Sequence, residues 1–308
     1  INSNSTIIRQ NEQSLSLKVN DLQPSDSKGV YKMIDYDMRQ YKSLKMFIHA
    51  ESIEGSNKLP GEGAEDELDK RLVGFLRLGS DLTENYYQIE IPLKPTSYNN
   101  GSSNRFSADQ VWNPDSNSID FSLEKLTKIK AIAMNQADFS KPIYFNENLD
   151  IIDEFSAISE LPGEKKYKFA IKGNPTIGSI KNIMIGVKNP SQNLGDILSA
   201  EVWFNELRLS DIDGKGGWST LASLDANLAD FANISVSGKM STIGFGSIDK
   251  SPNQRSREDL KQYGLMSSLN LGQVLPEKWK MQIPVSYSIS EEFSTPEYDP
   301  FYQDIKLD

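Results

Sequence analysis

Residues 218–289 contain four segments in which apolar and polar side chains alternate, joined in two pairs by tight turns. In the first, Trp218, Ala222, Leu224, Ala226 and Leu228 share one parity, and Ser219, Ser223, Asp225 and Asn227 share the other. In the second, Ile234, Val236 and Met240 alternate with Ser235, Ser237, Lys239 and Ser241. The third sets Tyr263, Leu265, Leu269 and Leu271 against Gln262, Gly264, Ser268 and Asn270. The fourth sets Trp279, Met281, Ile283, Val285, Tyr287 and Ile289 against Lys280, Gln282, Ser286, Ser288 and Ser290. Successive side chains of a strand point to opposite faces, so each segment has one apolar and one polar face.

Each segment runs about ten or eleven residues, and a tilted strand needs ~9–11 to cross a bilayer. The polar face suits a wet lumen. Trp218, Tyr263, Trp279 and Tyr287 sit near the ends of the apolar face, as in the aromatic girdles of outer-membrane barrels. A half-exposed sheet of a soluble β-protein alternates in the same way. The connections separate the two readings. Residues 229–233 and 272–278, the latter with Pro276, are short turns, whereas 243–261 is a long polar loop containing Gly244, Gly246 and Pro252. Another polar stretch, with Pro296 and Pro300, follows the fourth segment. Short turns at one end and long loops at the other is the build of an outer-membrane barrel, with the short turns periplasmic.

A barrel that fills its interior with side chains takes about eight strands. An open sheet would leave unpaired backbone in lipid. The four segments are therefore expected to be one piece of a larger barrel. Trp218, Ala222, Leu224, Leu228, Val236, Leu265, Leu269, Ile283, Val285 and Tyr287 are expected to face lipid, and Ser223, Asp225, Asn227, Ser235, Lys239, Gln282 and Ser286 the lumen.

Length and composition narrow the remaining functions. The chain has 308 residues, enough for one large or two modest domains. It begins at Ile1 and shows no signal peptide, which reads as an excised or processed piece. No run of eighteen or more apolar residues occurs, so no transmembrane helix is expected. A net charge of -10, from 43 acidic and 33 basic residues, argues against a nucleic-acid partner. The chain has no cysteine, which excludes thiol catalysis and thiolate metal sites, and one histidine, which excludes a histidine-cluster metal site. That residue, His49, lies in a strand-like run and reads as a satisfied strand histidine. No cofactor is expected.

Before residue 218 the chain carries shorter alternating runs. Residues 14–22, 30–38, 43–50, 72–78, 86–93, 119–123, 166–171, 180–187 and 199–210 read as strands, with 180–187 dense enough to be buried on both faces. Residues 123–134 form the one convincing helix, and 55–70 and 137–163 read as irregular and acidic. Nine short strands spaced by turns predict a jelly-roll-like antiparallel β-sandwich. The run Asp213-Gly214-Lys215-Gly216-Gly217 breaks the chain. The expected class is thus all-β: a sandwich over 1–213, then antiparallel transmembrane β-barrel strands over 214–308.

Several stretches resemble one family. They include Arg39-Gln40-Tyr41-Lys42-Ser43-Leu44-Lys45-Met46-Phe47-Ile48-His49-Ala50, Phe75-Leu76-Arg77-Leu78-Gly79-Ser80-Asp81 and Lys172-Gly173-Asn174-Pro175. Glu201-Val202-Trp203-Phe204-Asn205-Glu206-Leu207-Arg208-Leu209, running into Gly216-Gly217-Trp218, and Leu275-Pro276-Glu277-Lys278 continue the match. In order and spacing they are similar to SprA, also called Sov, the outer-membrane translocon family of the Bacteroidetes type IX secretion system. The resemblance implies a very large single-chain barrel that exports folded proteins, of which this chain is a segment. It implies outer-membrane lipid, the rest of the barrel, a PorV-like shuttle protein, a plug protein and secreted cargo as partners, and no catalytic residues. With short turns periplasmic, Trp218 falls at the outer end, and the sandwich becomes part of an extracellular cap.

Other readings attach to particular residues. The stretch 201–209 is also similar to the closing strand of laminin-G-like sandwiches, and Trp112 near Asn99, Asn100 and Asn104 is placed to stack on a sugar; its plainer role is to pin a long loop. The pairs Asp35/Asp37 and Glu65/Asp66 invite glycosidase chemistry, which needs two carboxylates flanking a cleft, but i,i+2 acids are ordinary on a solvent face. Asp211 and Asp213 offer oxygen ligands for a hard cation without a full loop pattern.

Overall fold

The computed structural model describes residues 13–62, 70–96, 111–112, 116–136, 138, 140–156, 167–214, 216–250 and 254–307. The chain separates into two compact units, 1–212 and 213–308.

The first unit contains β1 (Leu15–Leu22), β2 (Ser27–Tyr36), β3 (Tyr41–Ser52), β4 (Val73–Gly79), β5 (Tyr86–Pro92), β6 (Ser118–Ser122), α1 (Glu124–Ala133), β7 (Ile143–Phe145), β8 (Ile151–Ile152), β9 (Lys168–Lys172), β10 (Ile180–Lys188) and β11 (Leu198–Ile212). One sheet has the order β1-β11-β3-β6 and the other β2-β10-β4-β5-β9-β7-β8. The pairs β1·β11, β2·β10, β3·β6 and β4·β5 are all antiparallel and nested in sequence, like one long hairpin rolled across two sheets. That nesting is a jelly roll. β7, β8 and β9 extend the second sheet beyond β5.

Period-two patterning builds the core. Leu44, Met46, Ile48 and Ala50 of β3 point inward beside Ala200, Val202 and Phe204 of β11, facing Leu76, Leu78, Ile89 and Phe169. Phe121 meets Phe169 edge-on at 5.6 Å, a favoured ring geometry. Tyr167 is 1% exposed. Its hydroxyl donates to the Ser118 carbonyl at 3.1 Å and accepts the Asp120 N–H at 2.8 Å, tying the approach to β9 onto β6 of the other sheet. Helix α1 buries Leu126, Ile129, Lys130 and Ala133, a spacing that aligns them on one face. Lys130 reaches the Pro175 carbonyl at 2.8 Å.

The outer face of the second sheet is covered near its centre, so β5 is buried along its whole length. There Arg77 Nε donates to Gln88 Oε1 at 2.7 Å, and Gln88 Nε2 to Glu90 Oε1 at 2.6 Å. Phe75 lies over Gly186, where an added Cβ would come within 2.6 Å of the ring and 2.3 Å of the Lys28 carbonyl. Only glycine admits that approach.

Two expectations are corrected here. β10 is not buried on both faces: Ile183, Met184 and Ile185 are half-buried. Its neighbour β2 forms the sheet edge and is exposed at every residue but Ile34. Residues 137–163 contain β7 and β8, three and two residues long, too short for alternation to reveal.

The second unit is a four-stranded antiparallel meander: β12 (Ser219–Leu228), β13 (Ala232–Ser241), β14 (Glu258–Asn270) and β15 (Pro284–Pro296). The fourth strand begins at Pro284 rather than near Trp279. Short 3-10 turns at Leu271–Val274 and Glu277–Trp279 intervene, and Lys280 has a left-handed φ of 47° that breaks the strand there. Trp279, Met281, Gln282 and Ile283 therefore precede β15. At the other end β14 starts at Glu258, inside the expected loop. The sheet is open, with β12 and β15 as its edges among the described residues.

Two outcomes test this packing. Tyr167→Phe removes the oxygen that accepts the Asp120 N–H, and is expected to cost about 1–3 kcal/mol in denaturant titration. Asp81 holds the β4–β5 turn. Desolvation raises its pKa, but hydrogen bonds from the Asn85 side chain and the N–H groups of Glu84, Asn85 and Thr83 outweigh it and hold the carboxyl well below the usual range. The folded form thus binds the proton less readily than the unfolded one, whose pKa is ~3.9. Its stabilisation is present at neutral pH and lost as pH falls below about 4. The protection factors of β4 and β5 amides are expected to fall less steeply on acidification in Asp81→Asn than in the parent.

Candidate functional site: an amphipathic meander

The strand register decides whether four separately alternating segments make one surface. Leu224 lies opposite Val236, Val236 opposite Leu265, and Leu265 opposite Ile289. Directly opposed residues of antiparallel strands share a face. Toward the short turns the next rows are Ala226, Ile234, Ser267 and Tyr287, then Leu228, Ala232, Leu269 and Val285. Toward the long loop they are Ala222, Gly238, Tyr263 and Glu291, then Thr220, Met240, Lys261 and Phe293. The backbone N–H of Leu271 donates to the Ile283 carbonyl at 2.9 Å, so Ile283 continues this parity although it lies outside β15. Every residue expected to face lipid within the four strands is on this one face.

From the Ile283 row to the Phe293 row there are five steps of ~6.8 Å, about 34 Å along the strands. For strands tilted by ~40° this projects to about 26 Å, against an apolar band of ~25 Å in outer-membrane barrels. Charges enter the face only at its loop end, as Lys261 and Glu291. Glu291 accepts a hydrogen bond from the Tyr263 hydroxyl, and a lysine at such a boundary can carry its ammonium outward. Leu224, Trp218 and Tyr287 are 66%, 53% and 55% exposed, so this apolar face is uncovered. Contiguous apolar surface of that kind marks a contact with another apolar phase.

The opposite face carries Ser223, Ser237, Gly264 and Ser290 in one row, then Asp225, Ser235, Met266 and Ser288, then Asn227, Asn233, Ser268 and Ser286. Lys239 lies here too, opposite Gln262. Gln282 precedes β15. The Ser235 hydroxyl donates to Asp225 Oδ1 at 2.5 Å across the strands. A trough of about 520 Å³ is lined by Asp225, Asn227, Ser235, Met266 and Ser286 of this face together with Ala226, Ile234 and Tyr287 of the other parity. Leu221, Leu260 and Met266 are the large apolar exceptions.

The long-loop end is folded rather than loose. Trp218 exchanges hydrogen bonds with Thr242, its N–H to Thr242 Oγ1 at 2.9 Å and its carbonyl from the Thr242 N–H at 2.9 Å. A Cβ on Gly217 would meet Phe245 N at 2.2 Å and Ile243 O at 2.5 Å, so only glycine lets the incoming chain lie against this loop. Gly244 and Phe245 pair with Ser256, and residues 297–307 fold back on themselves, burying Tyr298 and Asp304. Phe293 stacks on Tyr263 at 6.2 Å. Sequence reading missed Phe293 because the alternation was ended at Ser290; carrying the same parity onward reaches it.

The alternative sites do not assemble. His49 is 6% exposed, with Nδ1 at 2.9 Å from the Val111 carbonyl and its ring beside Trp203 and Trp112. Burial pushes its pKa down against the Val111 contact, so it stays neutral at pH 7. Trp112 is half-buried edge-on to His49, a loop-pinning contact; Asn99, Asn100 and Asn104 lie outside the described residues. Asp35 pairs with Lys181 and Asp37 with Arg39, each at 2.7 Å, while Glu65 and Asp66 lie outside the described residues. Asp211 accepts from Ser43 and Ser210. Among the described residues no cluster of three or more His, Asp or Glu is placed to hold a metal ion, and no helix is long and apolar enough to cross a membrane.

Fold and surface together define an all-β protein, a jelly roll followed by an amphipathic meander. A family model described as "Motility related/secretion protein" (SprA_N) matches residues 2–308, and the chain belongs to the SprA family. No curated protein matches it.

The folded loop end yields a direct test. Gly217→Val is expected to expel the 243–245 segment, with loss of hydrogen-exchange protection at Gly244 and Phe245. Protection in the middle of β12 and β13, which does not depend on that contact, should be retained.

Proposed function

We propose that the meander is a stretch of the wall of an outer-membrane β-barrel through which proteins are secreted, and that the jelly roll is part of an extracellular cap over its pore. One observation carries this reading: the register gathers four apolar parities onto one uncovered face and the serine-rich parities onto the other. Lipid then contacts the apolar rows, and the polar trough belongs to a water-filled lumen. The open edges of β12 and β15 require neighbouring strands, because unpaired backbone is not tolerated in hydrocarbon. Those neighbours belong to the rest of the barrel.

The family's secretion and motility description supports a transport role over catalysis. The finer reading is that of a type IX translocon exporting folded cargo with a PorV-like shuttle and a plug protein as partners. A face rich in small hydroxyl side chains fits this reading, since it offers passing proteins hydration.

Two measurements test the proposal. In the full-length protein, Leu224→Arg should destabilise the barrel by about 2–4 kcal/mol, and Ser223→Arg by much less. Equal tolerance removes the lipid assignment. Sidedness is read with single cysteines, since the chain has none of its own. Ile248→Cys in the long loop should react with an impermeant maleimide in intact cells, and Lys278→Cys in the short turn should not. The reverse pattern would place the jelly roll in the periplasm.

A further inference from the structure

The sandwich has four sheet edges, and they are not alike. β1, β6 and β8 are eight, five and two residues long, whereas β2 has ten. β2 pairs with β10 on one side only and ends its sheet. Among the described residues no strand pairs with its other edge.

Exposed edge strands are commonly blunted by charge, shortness or bulges. On β2 those devices sit at the ends. Lys28 pairs with Asp26 at 3.3 Å at the start, and Asp35 with Lys181 at 2.7 Å at the finish, where the register with β10 also slips between Ile180 and Asn182. The middle is bare. Tyr31 and Met33 are 64% and 77% exposed on the outer face, beside Met184 and Asn182. Val30, Lys32 and Ile34 share the other face, and Lys32 makes no ion pair among the described residues.

We propose that the middle of β2 is a docking site for an extended polypeptide segment of a second protein, which adds to the seven-stranded sheet as a further strand. Backbone N–H and C=O groups at strand spacing select another strand rather than a sugar or a lipid. Tyr31 and Met33 give the incoming strand apolar neighbours, with methionine adaptable in shape. Lys32 favours an acidic residue on the other face. The flanking ion pairs limit the site to about six residues, which sets a short recognition element of alternating apolar and polar residues with one acid. The proposal does not depend on the membrane reading, since every residue in it belongs to the first unit.

The test uses the whole chain in detergent and a defined probe: a short acetylated peptide alternating valine and threonine, with one central glutamate. Hydrogen exchange is followed with and without the probe. Expected are saturable binding and new protection confined to residues 27–36, both lost when the probe's central amides are N-methylated. The double substitution Tyr31→Asp, Met33→Asp should weaken binding by about tenfold or more. Protection elsewhere, no protection, or equal binding of the N-methylated probe overturns the proposal, and because that control alters only the peptide, it holds whether or not the substituted chain folds. Protection of β2 by a peptide of this chain's own residues 1–12, or protection that rises with chain concentration alone, would make the occupant the chain itself and also overturn it.

Discussion

Backbone hydrogen bonding is the constraint on which both units rest. In a chain with little helix, each N–H and C=O must be paired by another strand, by a side chain or by water. The jelly roll meets this demand by nesting four antiparallel pairs, so that all but its edge strands are bonded on both sides. The meander meets it only internally. Its two open edges are acceptable in water and unacceptable in hydrocarbon, and the uncovered apolar face makes water a poor surrounding for it. These two facts together motivate the reading of the meander as part of something larger.

A period of two makes that argument sharp. A slip of one residue in any strand pair would throw a complete set of side chains to the wrong face. Leu224, Val236, Leu265 and Ile289 fall into one row through three independent pairings, so the continuity of the apolar surface is a property of the register and not only of each strand. A soluble sandwich would bury such a face against a second sheet, as the inward rows of β3 and β11 do. Here no described residue of the second unit covers it, and the exposure of Leu224, Leu228 and Tyr287 is the result.

The sequence made some of this readable and hid the rest for physical reasons. Strands with a half-buried face advertise themselves by alternation, which is why β1 to β6 and β9 to β13 were locatable, as was α1 with its buried positions one helical turn apart. β7 and β8 were hidden because two or three residues carry no period. The burial of β10 was overestimated because composition does not say which strand ends a sheet: Ile183 to Ile185 are apolar, but their neighbour β2 covers little. The start of β15 was misplaced because Trp279 and Met281 keep the right parity while Lys280, in a left-handed conformation, breaks the strand between them. On the meander face the parity of each segment was legible and the shared surface was not, since register depends on the turn at 229–231 and on the pairing of β14 with β15.

The polar boundary of the apolar face gives the meander a direction. At the short-turn end, apolar residues persist through Leu271 and Ile283. At the long-loop end, Lys261 and Glu291 enter the same parity, and beyond them Asp259 and Thr295 replace leucine and valine. Beyond the Tyr263–Phe293 contact the ends of β14 and β15 are therefore polar on this face, with Glu258 and Glu292 on the opposite one. Strand pairing continues there without any apolar reward, so those segments suit water and not lipid. They lead into a loop that is itself folded, with Gly217 and Trp218 seated against it, so the chain entering β12 arrives at the wet end of the sheet. On the proposed reading, a jelly roll attached at that end need not cross the bilayer to be connected to the wall, which would explain physically why the two units are adjacent in one chain.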